Sequence, residues 1–283
     1  MSNTKRLFLF AGYSSTKIVD DALVYYVRAL SKLGDIVLVL DSDCSDSELK
    51  KVNQYCLYAN ATRHGEYDFG SYKRAFAWAK NNLNLDNYDF VYMVNDSVYG
   101  PMFDLGPYLT KMEDFNTDAF GLVENPKKSH PHIQSWFIGM RKNVFMSDWF
   151  EKFISGVAHH DNKGEITSLY EHGFSIRVID NGGEWKCMYS VPGRGVYNQV
   201  KKLYRKKMPF MKKVAFTRHD GGLSTQIKYV LKRLPKNLTS NIISSASISY
   251  GEQYINKILA RGWMTTKWHN LKYGIKKLLR GQL

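Results

Sequence analysis

The sequence predicts an α/β fold built on a mostly parallel sheet, and three features carry that reading. Short, almost wholly apolar and β-prone runs recur at residues 7–10, 36–40 and 90–94, as in strands buried on both faces. Helix-period segments lie between them, the first with Val19, Ala22, Leu23, Tyr26, Val27 and Leu30 on one face. Each apolar run then breaks into small polar residues: Gly12-Tyr13-Ser14, Asp41-Ser42-Asp43 and Asn95-Asp96-Ser97. Strand, helix, strand in that order is the pattern of right-handed crossovers in a parallel sheet.

Along the chain, residues 7–13 read as the first strand and 18–33 as a helix stopped by Gly34. A second strand follows at 35–40. Residues 45–55 read as a helix opened by Ser45-Asp46-Ser47-Glu48, an N-cap pattern. Residues 57–59 read as a third strand, 63–73 as a loop and 71–82 as a helix with Ala75, Phe76 and Ala79 on one face. The strand at 90–94 ends in the turn signal Gly100-Pro101. Beyond it come a helix at 105–112, strands at 118–123 and 133–140, a helix at 145–157, a helix beginning near Gly164 and a strand at 174–179. Residues 226–234, 250–259 and 263–279 read as helices.

Ligands of open α/β sheets bind outside the carboxyl ends of the strands, so the polar breaks are the candidate site. Asp96, flanked by Asn95 and Ser97, suits a hard divalent cation, Mg or Mn, that also holds phosphate oxygens. It equally suits the cap of a following helix. Gly12 lets a ligand approach the first strand's backbone, Tyr13 offers a ring for stacking, and Asp41 can accept hydrogen bonds from a base or ribose. Asp43 reads as a helix cap. Gln134, Ser135 and Trp136 suit carbohydrate, since amide and hydroxyl read sugar hydroxyls and an indole packs on a pyranose; an indole is equally an ordinary core residue. His130 and His132, without a nearby Cys, read as hydrogen-bonding or ligand-contacting residues rather than metal ligands. No G-x-G-x-x-G or P-loop pattern occurs, which disfavours dinucleotide and P-loop chemistry.

The strand ending Asn95-Asp96-Ser97-Val98-Tyr99-Gly100-Pro101 follows Tyr67-Asp68-Phe69-Gly70-Ser71-Tyr72-Lys73 and precedes His132-Ile133-Gln134-Ser135-Trp136-Phe137. In that order these segments resemble the rhamnan synthesis protein F family, over about residues 5 to 190. The resemblance implies a bacterial, glycosyltransferase-like protein of cell-surface polysaccharide assembly with a GT-A-like fold. It implies that an Asp-x-Asp-like signature holds metal and donor diphosphate; here that signature is Asn95-Asp96-Ser97, with one carboxylate. It implies that Asp68 faces the donor sugar, that Asn95 and Ser97 share the donor site, and that His219 joins Asp96 at the metal. Read from the residues, Gly12, Tyr13 and Asp41 complete the donor site, and His132, Gln134, Ser135 and Trp136 meet the acceptor. Glu165, with Glu171 as its rival, would deprotonate the acceptor hydroxyl; an acid in a first helical turn also simply stabilises the helix dipole. A sugar, L-rhamnose for example, would pass from a nucleoside diphosphate donor to a lipid-linked glycan.

Hydrophobic content of 44% in 283 residues is ample for a core. Cys44, Cys56 and Cys187 are too few and too scattered for a disulfide framework or a zinc pattern. The net charge of +14 is uneven: residues 200–283 hold 19 Lys and Arg against Asp220 and Glu252, giving +17, while residues 1–199 sum to −3. The expected division is a near-neutral transferase domain at 1–199 and a basic helical appendage at 200–283, drawn to an anionic membrane surface or to the acceptor. Nucleic acid fits the charge, but no RNP, KH, helix-turn-helix or zinc motif supports it. A non-catalytic role in polysaccharide assembly is the other alternative, given the single carboxylate. Residues 1–6 are polar and lead straight into a strand, without the apolar stretch of a secretory signal. No run approaches the roughly 18 apolar residues of a spanning helix. The expected location is cytoplasmic, peripheral on the inner face of a bacterial cytoplasmic membrane.

Overall fold

A computed structural model describes residues 4–127 and 129–279. The strands in chain order are β1 (Arg6–Gly12), β2 (Asp35–Leu40), β3 (Tyr58–Ala61), β4 (Phe90–Asn95), β5 (Val98–Tyr99), β6 (Ala119–Asn125), β7 (His132–Ile133), β8 (Phe137–Arg141), β9 (Trp185–Ser190) and β10 (Met211–Lys212). Among the described residues eight strands form one sheet, ordered β3-β2-β1-β4-β8-β6-β7 with β9 on β6. Pairings β1–β2, β1–β4, β2–β3 and β6–β9 are parallel; β8 runs antiparallel to both neighbours, and β7 antiparallel to β6. The mostly parallel α/β architecture expected from the sequence is therefore present. The order places β2 and β4 on opposite sides of β1, so the chain reverses its winding between β1 and β4.

Two compact units divide the chain. The first takes in residues 1–19, 26–96 and 104–193; the second takes in 20–25, 97–103 and 194–283. This division lies a few residues before the expected boundary at 199/200 and adds two short segments to the second unit.

In the first unit, Leu7–Ala11 and all of β4 are buried, which explains their unbroken apolar sequence. The Tyr67–Asn82 helix lays Phe69, Tyr72, Ala75, Phe76 and Ala79 against this sheet, one stripe at helical spacing. At β1's first residue, Arg6 donates from Nε and Nη2 to both oxygens of Glu113, each at 2.6 Å, and the Tyr92 hydroxyl donates to the same carboxylate. The pair is fixed by geometry in a nearly dry place, where a planar fork matches a carboxylate.

Two expectations fail here. Residues 174–179 are not a strand but belong to the Gly173–Asp180 helix. Phe-Ser-Ile-Arg-Val-Ile alternates in the β manner, yet Phe174 and Val178, spaced i, i+4, are buried while Ile176 and Ile179 are exposed. The strand of this region is β9 instead. Residues 133–140 are not one strand either. Between β7 and β8 the Ser135 backbone is bound by side chains, with its N–H donating to Glu171 and its carbonyl accepting from Tyr72.

The second unit has its own core of Tyr99, Phe216, Leu223, Ile227, Leu238, Ile242, Ile255 and Ile258, among others. Strands β5 and β10 form a separate antiparallel pair. The Lys236–Tyr250 helix had no clear signal in its sequence. Its Ser, Asn, Thr and Ile are poor helix formers, and burial of Leu238, Ile242, Ser245 and Ala246 overrides them. Among the described residues no helix is long and apolar enough to cross a membrane.

Candidate active site

The first unit gathers most of the predicted residues at the carboxyl edge of β1, β2 and β4, where the winding reverses. Such switch points are where open α/β sheets form ligand crevices. Asp96 follows β4 directly, and its backbone N–H donates to the Ala11 carbonyl of β1 at 3.1 Å. Gly12 ends β1 beneath it: a Cβ there would lie 2.5 Å from Leu40 Cδ2 and 3.6 Å from Asp96 Cγ. The missing side chain thus keeps the backbone beside the Asp96 carboxylate uncovered.

Asp68 lies within the first turn of its helix rather than before it. Its Oδ2 accepts from Asn95 Nδ2 at 2.8 Å, so the helix N-terminus is bound to the end of β4. Both Asp68 and Asp96 act on the buried Tyr72 hydroxyl, whose pKa is driven up first by burial and then by Asp68. Tyr67, just before Asp68, has φ +56°, a strained value for a bulky residue. Lys73 points elsewhere and donates to the Val157 carbonyl at 2.7 Å.

Asp41 is more enclosed than expected. Its Oδ1 accepts from the N–H groups of His64 and Gly65 at 2.7 and 2.9 Å, and its Oδ2 from Arg63. Burial pushes its pKa up, but the Gly65 and His64 N–H groups, then the charges of His64 and Arg63, outweigh that and hold it below the ordinary value. These bonds tie Asp41 to the loop at 63–65. What that loop presents is Arg63, whose side chain is half exposed and whose guanidinium lies 5.2 Å above the exposed Tyr13 ring. Sequence reading passed over Arg63 because it sits in a polar loop with no motif around it.

On the acceptor side, Gln134 and Trp136 are buried, and the indole N–H donates to Gln134 Oε1 at 2.9 Å. Trp136 is thus packed as a core ring, with Gln134 as its hydrogen-bond partner. His132 is also buried. Its Nδ1 must carry the proton, because it lies 2.7 Å from the His130 carbonyl, which can only accept. The His172 ring lies 4.2 Å from that of His132 and 5.6 Å from that of His130. Ser135 remains half-buried, with its N–H donating to Glu171 Oε1 at 3.0 Å.

Glu171 sits in a π-helical segment, Thr167–His172, between the Lys163–Ile166 and Gly173–Asp180 helices. Such widened turns often mark functional positions. Glu165 lies apart from Ser135's partner: it is half exposed and pairs with His160 Nδ1 at 3.3 Å. Through Ser135, Tyr72 and the Trp136 carbonyl, which accepts from Asn95 N–H at 3.3 Å, Glu171 rather than Glu165 joins the network at the end of β4.

Residues 36–273 match the family described as rhamnan synthesis protein F. The chain belongs to that family. No curated protein matches it. Among solved structures, it is similar to a glycosyltransferase involved in glycosylation of the major capsid of PBCV-1, at 14% identity over 74% of this chain and 93% of that one, TM-score 0.38. It is similar also to S. aureus TarS 1–349, at 10% identity over 90% and 89%, TM-score 0.35. Core-mannan synthase A from Aspergillus fumigatus, in a Mn/GDP form, aligns at 11% identity over 53% of this chain and 63% of its own length, TM-score 0.32. The chain thus spans less than two thirds of that last protein.

Two predicted residues of this rhamnan synthesis protein F family member belong to its second unit. Ser97 Oγ accepts from Lys212 Nζ at 2.9 Å. His219, at φ +51°, sets its ring 3.9 Å from that of Tyr273. Among the described residues, no group of three or more His, Cys, Asp or Glu could hold a metal ion. A lone carboxylate such as Asp96 is compatible with the mode in which Mg takes one or two carboxylates and completes its shell with phosphate oxygens.

Proposed function

We propose that this protein is an inverting glycosyltransferase that moves a sugar from a nucleoside diphosphate donor to a lipid-linked glycan in polysaccharide synthesis. The observation that carries the reading is the Gly12–Asp96 juxtaposition at the winding reversal, with an exposed Tyr13–Arg63 pair on the same edge. Tyr13 stacks on the base, and Arg63 meets diphosphate charge with a planar fork. Asp96 would hold a divalent cation that arrives with the donor and neutralises the leaving diphosphate. Asp68 and Asn95, already bonded to each other, orient the sugar. L-rhamnose is the sugar that the family's description favours.

For the base, the network around Ser135 supports Glu171 over Glu165. A carboxylate near the acceptor-side loop takes the acceptor proton as the diphosphate departs. The test is a screen of dTDP-rhamnose and UDP-, GDP- and CMP-sugars with Mg or Mn, scoring nucleotide release. Release with one donor, lost in Asp96→Ala and reduced more in Glu171→Gln than in Glu165→Gln, is the expected result. Silence with every donor, with no donor-dependent rise in Tm, would instead favour a non-catalytic assembly role.

A further inference from the structure

The helix Trp263–Leu279 carries its amphipathic character in an unusual sense. It is attached to the second unit by its polar side. Thr266 is buried with its hydroxyl 2.8 Å from that of Ser224, Asn270 Nδ2 donates to the Gly222 carbonyl at 3.2 Å, and Tyr273 takes the His219 ring. Those three positions repeat as i, i+4, i+7 and form one stripe. The opposite side holds Met264, Trp268, Leu271, Ile275, Leu278 and Leu279, each between 48% and 83% exposed. At 3.6 residues per turn they fall within an arc of about 100° centred opposite Thr266.

Lysines border that arc. Lys267 lies along one edge, Lys272 and Lys276 along the other, and the helix contains no acid. Lys267 Nζ sits 4.0 Å from the Trp263 ring centroid and Lys272 Nζ 5.2 Å from that of Trp268. Each ammonium therefore lies over an indole face, a cation–π contact at the edge of the apolar arc.

We propose that this face seats the helix in the plane of an anionic lipid bilayer. The six apolar residues enter the boundary between headgroups and acyl chains, and the bordering lysines reach lipid phosphates. Charge and polarity together select this occupant. A second copy of a chain of net charge +14 would bring like charges together, and a nucleic acid would leave the apolar arc in water. The inference does not depend on the transferase reading.

The test is co-sedimentation of the full chain with vesicles of phosphatidylcholine alone and of phosphatidylcholine mixed with phosphatidylglycerol. The wild type is expected to sediment with the mixed vesicles, to release as salt rises, and to shift its tryptophan emission to the blue. Leu271→Glu/Ile275→Glu is expected to lower the partition coefficient by about tenfold or more at unchanged Tm, and Trp268→Ser to lower it less. Lys272→Gln/Lys276→Gln should erase the preference for anionic vesicles. Equal sedimentation of wild type and the double glutamate variant would overturn the proposal, as would a wild type that stays in the supernatant. A concentration-dependent dimer abolished by that variant would assign the face to a second copy and overturn it too. Nucleotide release assayed without vesicles reports on the transferase reading alone, so the two can fail separately.

Discussion

At the scale of single residues, Gly12 and Asp96 matter most. Gly12→Ala would place a methyl against Leu40 and beside Asp96. Because the Leu40 terminus can shift, the stability cost is about 1 kcal/mol, while nucleotide affinity should fall by about tenfold, near 1.4 kcal/mol; calorimetry on both proteins checks this. Glu113 is a contrasting case. Glu113→Ala would leave the Arg6 guanidinium buried without its carboxylate, a loss of about 3–5 kcal/mol. The Tm should drop by about 10 °C, with no change in the donor preferred. Asp41 has a pH signature. Its folded pKa is held below the ordinary value, so its contribution is complete above the unfolded carboxylate pKa of about 3.9. It is lost as pH falls through the lower folded value. Urea midpoints of the wild type should fall in that acid window, and Asp41→Asn should show a shallower fall from a lower plateau. From the sequence alone Gly12, Asn95 and Asp96 could be placed at strand ends and Asp68 near a helix start. The position of Arg63 could not, since it depends on Asp41 fixing its loop. Nor could the burial of Trp136, because side-chain type alone cannot tell an exposed ring from a core one.

At the scale of elements, the sheet was legible and its irregular neighbours were not. Strands β1, β2 and β4 announce themselves by apolar runs ending in polar residues, a consequence of burial on both faces. The Gly173–Asp180 helix did not, because an alternating six-residue pattern fits both periods and only its packing chooses. The π-helical segment before it is likewise set by tertiary contacts, and with it the position of Glu171. His172 in that segment has its pKa lowered by burial first and by His132 next. A depressed imidazole pKa makes stability complete above the unfolded value of about 6.5 and lost as pH falls through the folded value. Acidification should therefore loosen the His130–His132–His172 cluster. Hydrogen exchange at Ile133 and Ser135 is expected to speed up below about pH 6.5 in the wild type, and His172→Gln should flatten that dependence.

At the scale of the molecule, the uneven charge follows the division into two units. The first unit is a near-neutral body, with the proposed donor site at one edge of its sheet. The second holds 20 of the 40 Lys and Arg residues with few acids, and the helix with the exposed apolar arc. If both proposals hold, enzyme and lipid-linked acceptor share one surface, which raises the effective concentration of each for the other. Release of nucleotide to water should then be slow beside transfer in the presence of vesicles carrying the acceptor. The most direct test of the central claim is calorimetric titration of the full chain with nucleoside diphosphates in the presence of Mg. The account predicts one site per chain, selective for one base, weakened about tenfold or more by Arg63→Ala and by Asp96→Ala. Binding of equal strength in all three proteins, or none to any nucleoside diphosphate, would contradict it.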